Sequence, residues 1–208
     1  YEIYLNQMKH VFGRDVEGVL RGINLPADEI NRGGQGVVWT ADERLHKMEW
    51  GCTTPKFRKR DPTKPIKPAI WNNARSENLH KPLWRESFLI RRCLIPVLRF
   101  AEAEGPPGRM TRTWYSVPRG EYGEGDHFSI AGIWREEAHG NVFSMLMTSS
   151  SPPVSRIHDR MPVIIAPNDR DAWLLGSPEQ AKAFCIPWSG PLMEDRTKEK
   201  WHRPKADP

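Results

Sequence analysis

Phe128-Ser-Ile-Ala-Gly-Ile-Trp134 and Val142-Phe-Ser-Met-Leu-Met147 are two short apolar runs on either side of Arg135–Asn141, a charged stretch that contains a glycine. Each run is too short for a buried helix and is bounded by turn formers, so both read as buried strands. Working outward, the largely apolar run Phe88–Phe100, with Arg91 and Arg92 inside it, and the short segment Met161–Ile165 read as further strands. Gly36–Thr40 and Leu45–Trp50 read as a hairpin turning around Asp42-Glu43, preceded by a glycine-rich loop over Asn31–Gly36. Apolar residues at three- and four-residue spacing predict an amphipathic helix over Met8–Leu20, and Pro167-Asn168 opens another that runs to Leu175. Strands joined by turns, with helices flanking and interspersed, predict an α+β fold built on a curved, largely antiparallel β-sheet. Lys56–Pro68 carries a dense basic cluster and three prolines without apolar periodicity, which predicts an exposed loop. One domain is expected over residues 1–193, followed by a basic, polar C-terminal tail over 194–208.

The chain has 208 residues, 38% hydrophobic and 27% charged, enough for a core; its 19 prolines and 16 glycines predict many breaks between elements. A net charge of +5 suits a polyanionic partner without requiring one. Cys52, Cys93 and Cys185 are too few and too scattered for a disulfide framework or a CxxC zinc site, so reduced thiols, no metal and no cofactor are expected. No apolar run approaches the roughly 20 residues of a membrane helix, and Tyr1–Gln7 lacks a signal pattern, which points to a cytoplasmic protein away from membranes; a monomer is expected. Tyr1 in place of methionine leads to the expectation that native residues precede it.

Three ordered segments carry a resemblance. They are Asn73-Ala-Arg-Ser-Glu77, then Arg92-Cys-Leu-Ile-Pro96 running on to Glu102, then Ile157-His-Asp-Arg-Met-Pro162, with Trp50-Gly51 upstream and Trp173-Leu174 downstream. Together they resemble the SOS response-associated peptidase (SRAP) family. That resemblance implies a bacterial or phage-encoded protein that binds single-stranded DNA and captures abasic sites. The family does so on a cysteine exposed when the initiator methionine is removed autoproteolytically. Its start, Met-Cys-Gly-Arg followed by Phe or Tyr, would place that cysteine just before Tyr1.

The chemistry explains why such a cysteine is needed. A ring-opened abasic sugar presents an aldehyde, and an α-amine of pKa about 8 is far less protonated at neutral pH than a lysine near 10.4. The amine forms a Schiff base, and the neighbouring thiol closes a thiazolidine ring. Only an N-terminal cysteine offers both groups. The resemblance casts Glu102 as general acid/base, His158 as a second proton carrier and Asn73 as a hydrogen-bonding positioner. In isolation each has a plain structural reading: a surface carboxylate, a structural histidine, a strand-end asparagine.

For DNA, Arg75 and Arg160 are the candidate phosphate contacts, and Thr148 matches a family threonine that donates a hydrogen bond near the site. Trp50, Phe57 and Trp71 are candidate stacking surfaces for unpaired bases, although for each the core reading is favoured. Lys56, Arg58, Lys59, Arg60 and Lys64 either add salt-sensitive backbone attraction or form a merely solvated loop. Two departures bear on the pocket: Val97–Ala103 lacks the tryptophan that follows the family glutamate, and Gly34 replaces a proline. Two other functions compete, a single-stranded DNA-binding module that has lost the chemistry and a thiol hydrolase using Cys93 or Cys185. Cys93, inside an apolar strand, reads better as a small buried hydrophobe.

Overall fold

The computed structural model describes residues 29–118 and 128–201, so the helix expected over Met8–Leu20 lies outside the described residues. Strands β1 (Gln35–Thr40) and β2 (Leu45–Trp50) form the expected hairpin, with Gln35 opposite Glu49 and Trp39 opposite Leu45. Glu43 turns the chain with a φ of 60°. Next come β3 (Cys52–Arg58), β4 (Asp61–Trp71), β5 (Asn73–Arg75), helix α1 (Pro82–Ile90) and β6 (Arg92–Val97). They are followed by β7 (Phe100–Glu104), β8 (Thr111–Ser116), β9 (Phe128–Glu137) and β10 (Gly140–Ser149). The two runs that opened the reading are thus the cores of β9 and β10. β11 (Arg160–Pro162), β12 (Ile164–Ile165), α2 (Arg170–Leu175), α3 (Pro178–Ala183) and β13 (Met193–Lys200) complete the described chain.

The main sheet has eight strands in the order β11-β10-β2-β1-β6-β9-β12, with β5 also on β10. Because β9 pairs with β10 as well as with β6, the ring β10-β2-β1-β6-β9 closes into a small barrel. Its pairings are antiparallel apart from those of β10 with β2 and β5. Leu94, Ile95, Ile130, Ile133, Phe143 and Leu146 are fully buried, as expected where both faces of a sheet are covered. Packing is close enough that a methyl group on Gly132 would lie 2.8 Å from Cys93 Sγ and 3.0 Å from Ile95 Cδ1. A second sheet, β13-β8-β7, stands beside the barrel, and β3 and β4 pair with each other as a separate hairpin. Among the described residues no helix is long and apolar enough to cross a membrane.

The α+β class and the curved, largely antiparallel sheet are as the sequence predicts; four local readings are corrected. Phe88 belongs to α1, where Pro82 occupies the first turn and Trp84 and Phe88 bury one face at four-residue spacing, so the strand starts only at Arg92. Lys56–Pro68 is mostly the β3–β4 hairpin rather than a loop. Met161–Ile165 is split between β11 and β12, which pair with β10 and β9 respectively. The expected tail begins as a strand, since β13 pairs with β8 from Met193 opposite Ser116 to Lys200 opposite Thr111.

Gly51 joins β2 to β3 with a φ of 147°, and a Cβ there would lie 2.3 Å from Ile70 Cγ2, which explains why glycine follows Trp50. Arg92 joins barrel to helices. Its buried guanidinium donates to the carbonyls of Trp173 (2.6 Å), Phe88 (2.9 Å), Leu89 (3.3 Å), Leu174 (3.3 Å) and Gly176, and the Trp173 indole N–H returns a bond to Cys93 O (2.8 Å). These are the carbonyls that the C-terminal ends of α1 and α2 leave unpaired, and a cation is favoured there. Arg92→Met should therefore destabilise the protein by about 3–5 kcal/mol in urea unfolding, with Arg92→Lys intermediate. Gly132→Ala should cost about 1–3 kcal/mol in the same measurement through overpacking.

Candidate active site

A cavity of about 470 Å3 opens between the barrel and the second sheet. The end of β2 contributes Trp50, the start of β5 Asn73, strand β10 Met145 and Met147, and the second sheet Glu102, Arg112 and Trp114. Period-two alternation explains the choice on β10: Met145 and Met147 face the cavity, whereas Leu146 and Thr148 point the other way. Thr148 is accordingly buried and donates to Cys185 O at 3.2 Å, so the expected DNA-facing role for it is corrected to a backbone contact.

Glu102 sits at the middle of β7, opposite Thr113 of β8, and lines the cavity. Surrounding protein strips water from its carboxyl, and this burial pushes its pKa up to about 7. The charge of His158 works in the opposite sense and that of Asp159 reinforces the rise. A carboxyl poised at that value exchanges protons in both directions at neutral pH.

Asn73, held by the pairing of β5 with β10, is exposed at the cavity, and its Oδ1 accepts a 3.4 Å contact from Asn72 Nδ2. His158 lies exposed in the loop leading into β11. Its Nδ1 is 3.1 Å from both the N–H and the carbonyl oxygen of Arg160, so a bare Nδ1 accepts from that N–H and an Nδ1–H donates to the carbonyl. The side chain of Ser150 fixes the same loop by donating to His158 O at 2.7 Å. The structure thus brings Asn73 and Glu102 to one cavity and His158 within electrostatic reach of Glu102.

Of the candidate DNA contacts, Arg160 is ion-paired with Glu77 at 2.7 and 3.0 Å, which ties the first motif to the third. Burial acts to raise the Glu77 pKa, but its hydrogen bonds and the charges of Arg160 and Arg75 hold it below the ordinary carboxylate value. Arg75 is exposed on the same face of β5 as Asn73. Trp50 packs against the core, lines the cavity and donates its indole N–H to Asn72 O at 2.8 Å. Phe57 and Trp71 are 51% and 45% exposed, which removes the core reading for both; Trp71 donates to Thr54 Oγ1 at 2.8 Å.

Sequence reasoning missed part of the wall. Arg112 lines the cavity while paired with Glu29 at 2.7 Å, and Trp114 lies beneath the Arg99 guanidinium at 4.1 Å. Both belong to β8, whose β-branched and aromatic residues Thr111, Thr113, Trp114 and Tyr115 were the available signal. Trp201 also lines the cavity, from within the stretch read as tail. Where the family resemblance leads to a tryptophan after the glutamate, Ala103 stands, and the aromatic wall is supplied by Trp114 and Trp201. All three cysteines are buried, and burial pushes their thiols up: Cys185 to about 11, Cys93 well above the usual thiol value, and Cys52 in the same direction. None offers the low-pKa thiolate that a hydrolase would need.

These geometric findings agree with comparisons to known proteins. The family model for SOS response associated peptidase (SRAP) matches residues 25–197. The abasic site processing protein YoaM of Bacillus subtilis (strain 168) is 27% identical over 164 residues, covering 74% of this chain and 68% of that protein. The abasic site processing protein YoqW of Bacillus phage SPbeta is 29% identical over 164 residues, covering 74% and 69%. A solved structure from Bordetella bronchiseptica superposes with a TM-score of 0.68 at 21% identity, covering 95% of this chain and 98% of that one. Another from Bacteroides thetaiotaomicron gives 0.64 at 18% identity, covering 87% of each. At these identities the solved structures speak for the fold alone. Since the family match over residues 25–197 takes in the barrel, β7, β8 and all three sequence motifs, the chain belongs to the SOS response associated peptidase family.

Proposed function

We propose that the protein processes abasic sites in single-stranded DNA, capturing the opened sugar as a thiazolidine on the N-terminal cysteine expected ahead of Tyr1. The observation that carries this reading is Glu102, a carboxyl with a pKa near 7 on the wall of a cavity that also presents Asn73. The names of the Bacillus relatives support it.

In this scheme the α-amine adds to the C1′ aldehyde carbon, and the resulting carbinolamine must lose its hydroxyl as water. Glu102 in its protonated form supplies the proton for that departure, leaving a carboxylate and a Schiff base. The cysteine sulfur then bonds to the carbon of this protonated Schiff base, the thiol proton returns to the Glu102 carboxylate, and the five-membered ring closes. His158 exchanges protons with solvent and Glu102 as the sugar opens. Asn73 holds the amine or a sugar hydroxyl through its amide. Arg75 and Arg160 take backbone phosphates, Arg160 exchanging one oxyanion partner, Glu77, for another. Run on the peptide bond after the initiator methionine, the same acid/base pair accounts for autoproteolytic exposure of the cysteine.

The protein bearing its native N-terminus, mixed with a single-stranded oligonucleotide containing one abasic site, should give an adduct that survives denaturing electrophoresis. Binding without any adduct would sink the crosslinking scheme and leave a binding module. Glu102→Gln should slow adduct formation by about 10²–10⁴-fold. The wild-type rate should fall as pH rises through about 7, with that inflection absent in the variant.

Glu102 also has a readout independent of DNA. The folded protein keeps a proton there that the unfolded chain releases above the ordinary value of 4.5, so this group's contribution to stability is complete below pH 4.5 and is lost as pH rises to about 7. Urea midpoints of the wild type relative to Glu102→Gln should decline across that window. A constant difference would mean that the carboxyl is not perturbed.

A further inference from the structure

The β3–β4 hairpin is not absorbed by the cavity chemistry. Between positions 56 and 67 it carries six cations, Lys56, Arg58, Lys59, Arg60, Lys64 and Lys67, against the single carboxylate of Asp61. That net +5 equals the net charge of the whole chain, so the remainder of the sequence is balanced and the excess is concentrated in this one element. All six cations are exposed. Lys64 pairs with Asp61 at 3.3 Å, and no ion pair to the other five occurs among the described residues. Phe57 and Ile66 are exposed in the same part of the hairpin, and Trp71 at its base.

Two features make this a directed arm rather than a charged tether. First, its root is clamped. Glu137 accepts from the Thr53 N–H at 2.8 Å and from the Thr53 hydroxyl, while Arg135 binds Glu137 at 2.6 Å and donates to Thr53 O. Burial acts to raise the Glu137 pKa, but these bonds hold it below the ordinary carboxylate range, so the clamp stays charged at neutral pH. Second, both ends of the hairpin run directly into the cavity lining, Trp50 before Cys52 and Asn72-Asn73 after Trp71. At ~3.3 Å per residue β3 alone extends the cationic surface by about 20 Å from that rim.

We infer that the β3–β4 hairpin is a second nucleic-acid contact, an arm along which the sugar–phosphate backbone flanking the cavity lies, held by charge and not by base sequence. The occupant is chosen by charge complementarity: a row of exposed cations matches a phosphodiester chain, and exposed rings among them stack on unpaired bases. This inference rests on the cavity being a DNA site, yet it concerns equilibrium binding and not crosslinking.

The test uses undamaged single-stranded DNA in two lengths, one just filling the cavity and one extended by about ten nucleotides on either side. A variant carrying Lys56→Thr, Arg58→Thr, Lys59→Ser and Arg60→Ser is compared with the wild type and with the charge-preserving set Lys56→Arg, Arg58→Lys, Lys59→Arg and Arg60→Lys. For the extended strand, the neutral variant should lose about two to three from the slope of log affinity against log salt, and bind at least about tenfold more weakly near 50 mM salt. The short strand should show little difference, and the charge-preserving set should behave as wild type. Equal slopes for neutral variant and wild type on the extended strand, with unchanged thermal melting, would overturn the arm and reassign the patch to an acidic protein partner. Failure of the two readings is distinguishable: crosslinking with no slope change discards the arm alone, and a slope change without crosslinking discards the cavity chemistry alone.

Discussion

The arrangement depends on one buried guanidinium. Arg92 opens β6, the barrel strand that leads through Leu98 and Arg99 into β7, and its donors go to carbonyl oxygens at the ends of α1 and α2. A buried cation without hydrogen bonds would be prohibitive, whereas here desolvation is offset by carbonyls that helix termini leave open in any case. Desolvation still lowers its pKa from the usual arginine value, but an arginine remains charged throughout the working range. With the start of β6 fixed against two helices and its body locked between β1 and β9, the chain reaches Glu102 along a defined path. The motif Arg92-Cys-Leu-Ile-Pro96 therefore serves the site without entering it.

The electrostatics of the site follow from where the second sheet lies. Phe100, two residues before Glu102, is buried in stacked contact with Tyr115 at 5.4 Å between ring centres. This places the acid beside an apolar anchor and strips water from it. The Arg160–Glu77 pair holds together the segments that carry Asn73 and His158. Three sequence motifs separated along the chain become neighbours because a strand pairing, an ion pair and a buried cation each tie one of them to the barrel.

What could be read from the sequence divides along the same physical lines. β9 and β10 were legible because both faces are covered, leaving apolar runs, and the β1–β2 hairpin was legible because its turn residues are distinctive. Asn73, Glu102 and His158 were singled out through motif resemblance alone; spacing would have left them as ordinary surface residues. The edge strand β13, Met193–Lys200, was not legible, since it has no fully buried position and its hydrogen bonds to β8 leave no trace in hydrophobicity. With it went Trp201, a lining residue just beyond its end. The β3–β4 hairpin was hidden for a related reason: its distal residues face water on both sides, so no alternation survives. Thr148 lies on the other face of the strand from Met145 and Met147, which line the cavity, and a motif match alone carries no information on facing.

Pro55, Pro62, Pro65 and Pro68 lie within that hairpin. Each proline removes a backbone N–H, so a strand from another molecule meets gaps in the row of donors it would need to extend the pairing. Mutual repulsion among the lysines and arginines works in the same direction. An exposed two-stranded ribbon with uncovered Phe57 and Ile66 would ordinarily be a seed for edge-to-edge aggregation. Its composition instead disfavours such pairing, through the missing donors and through like charge.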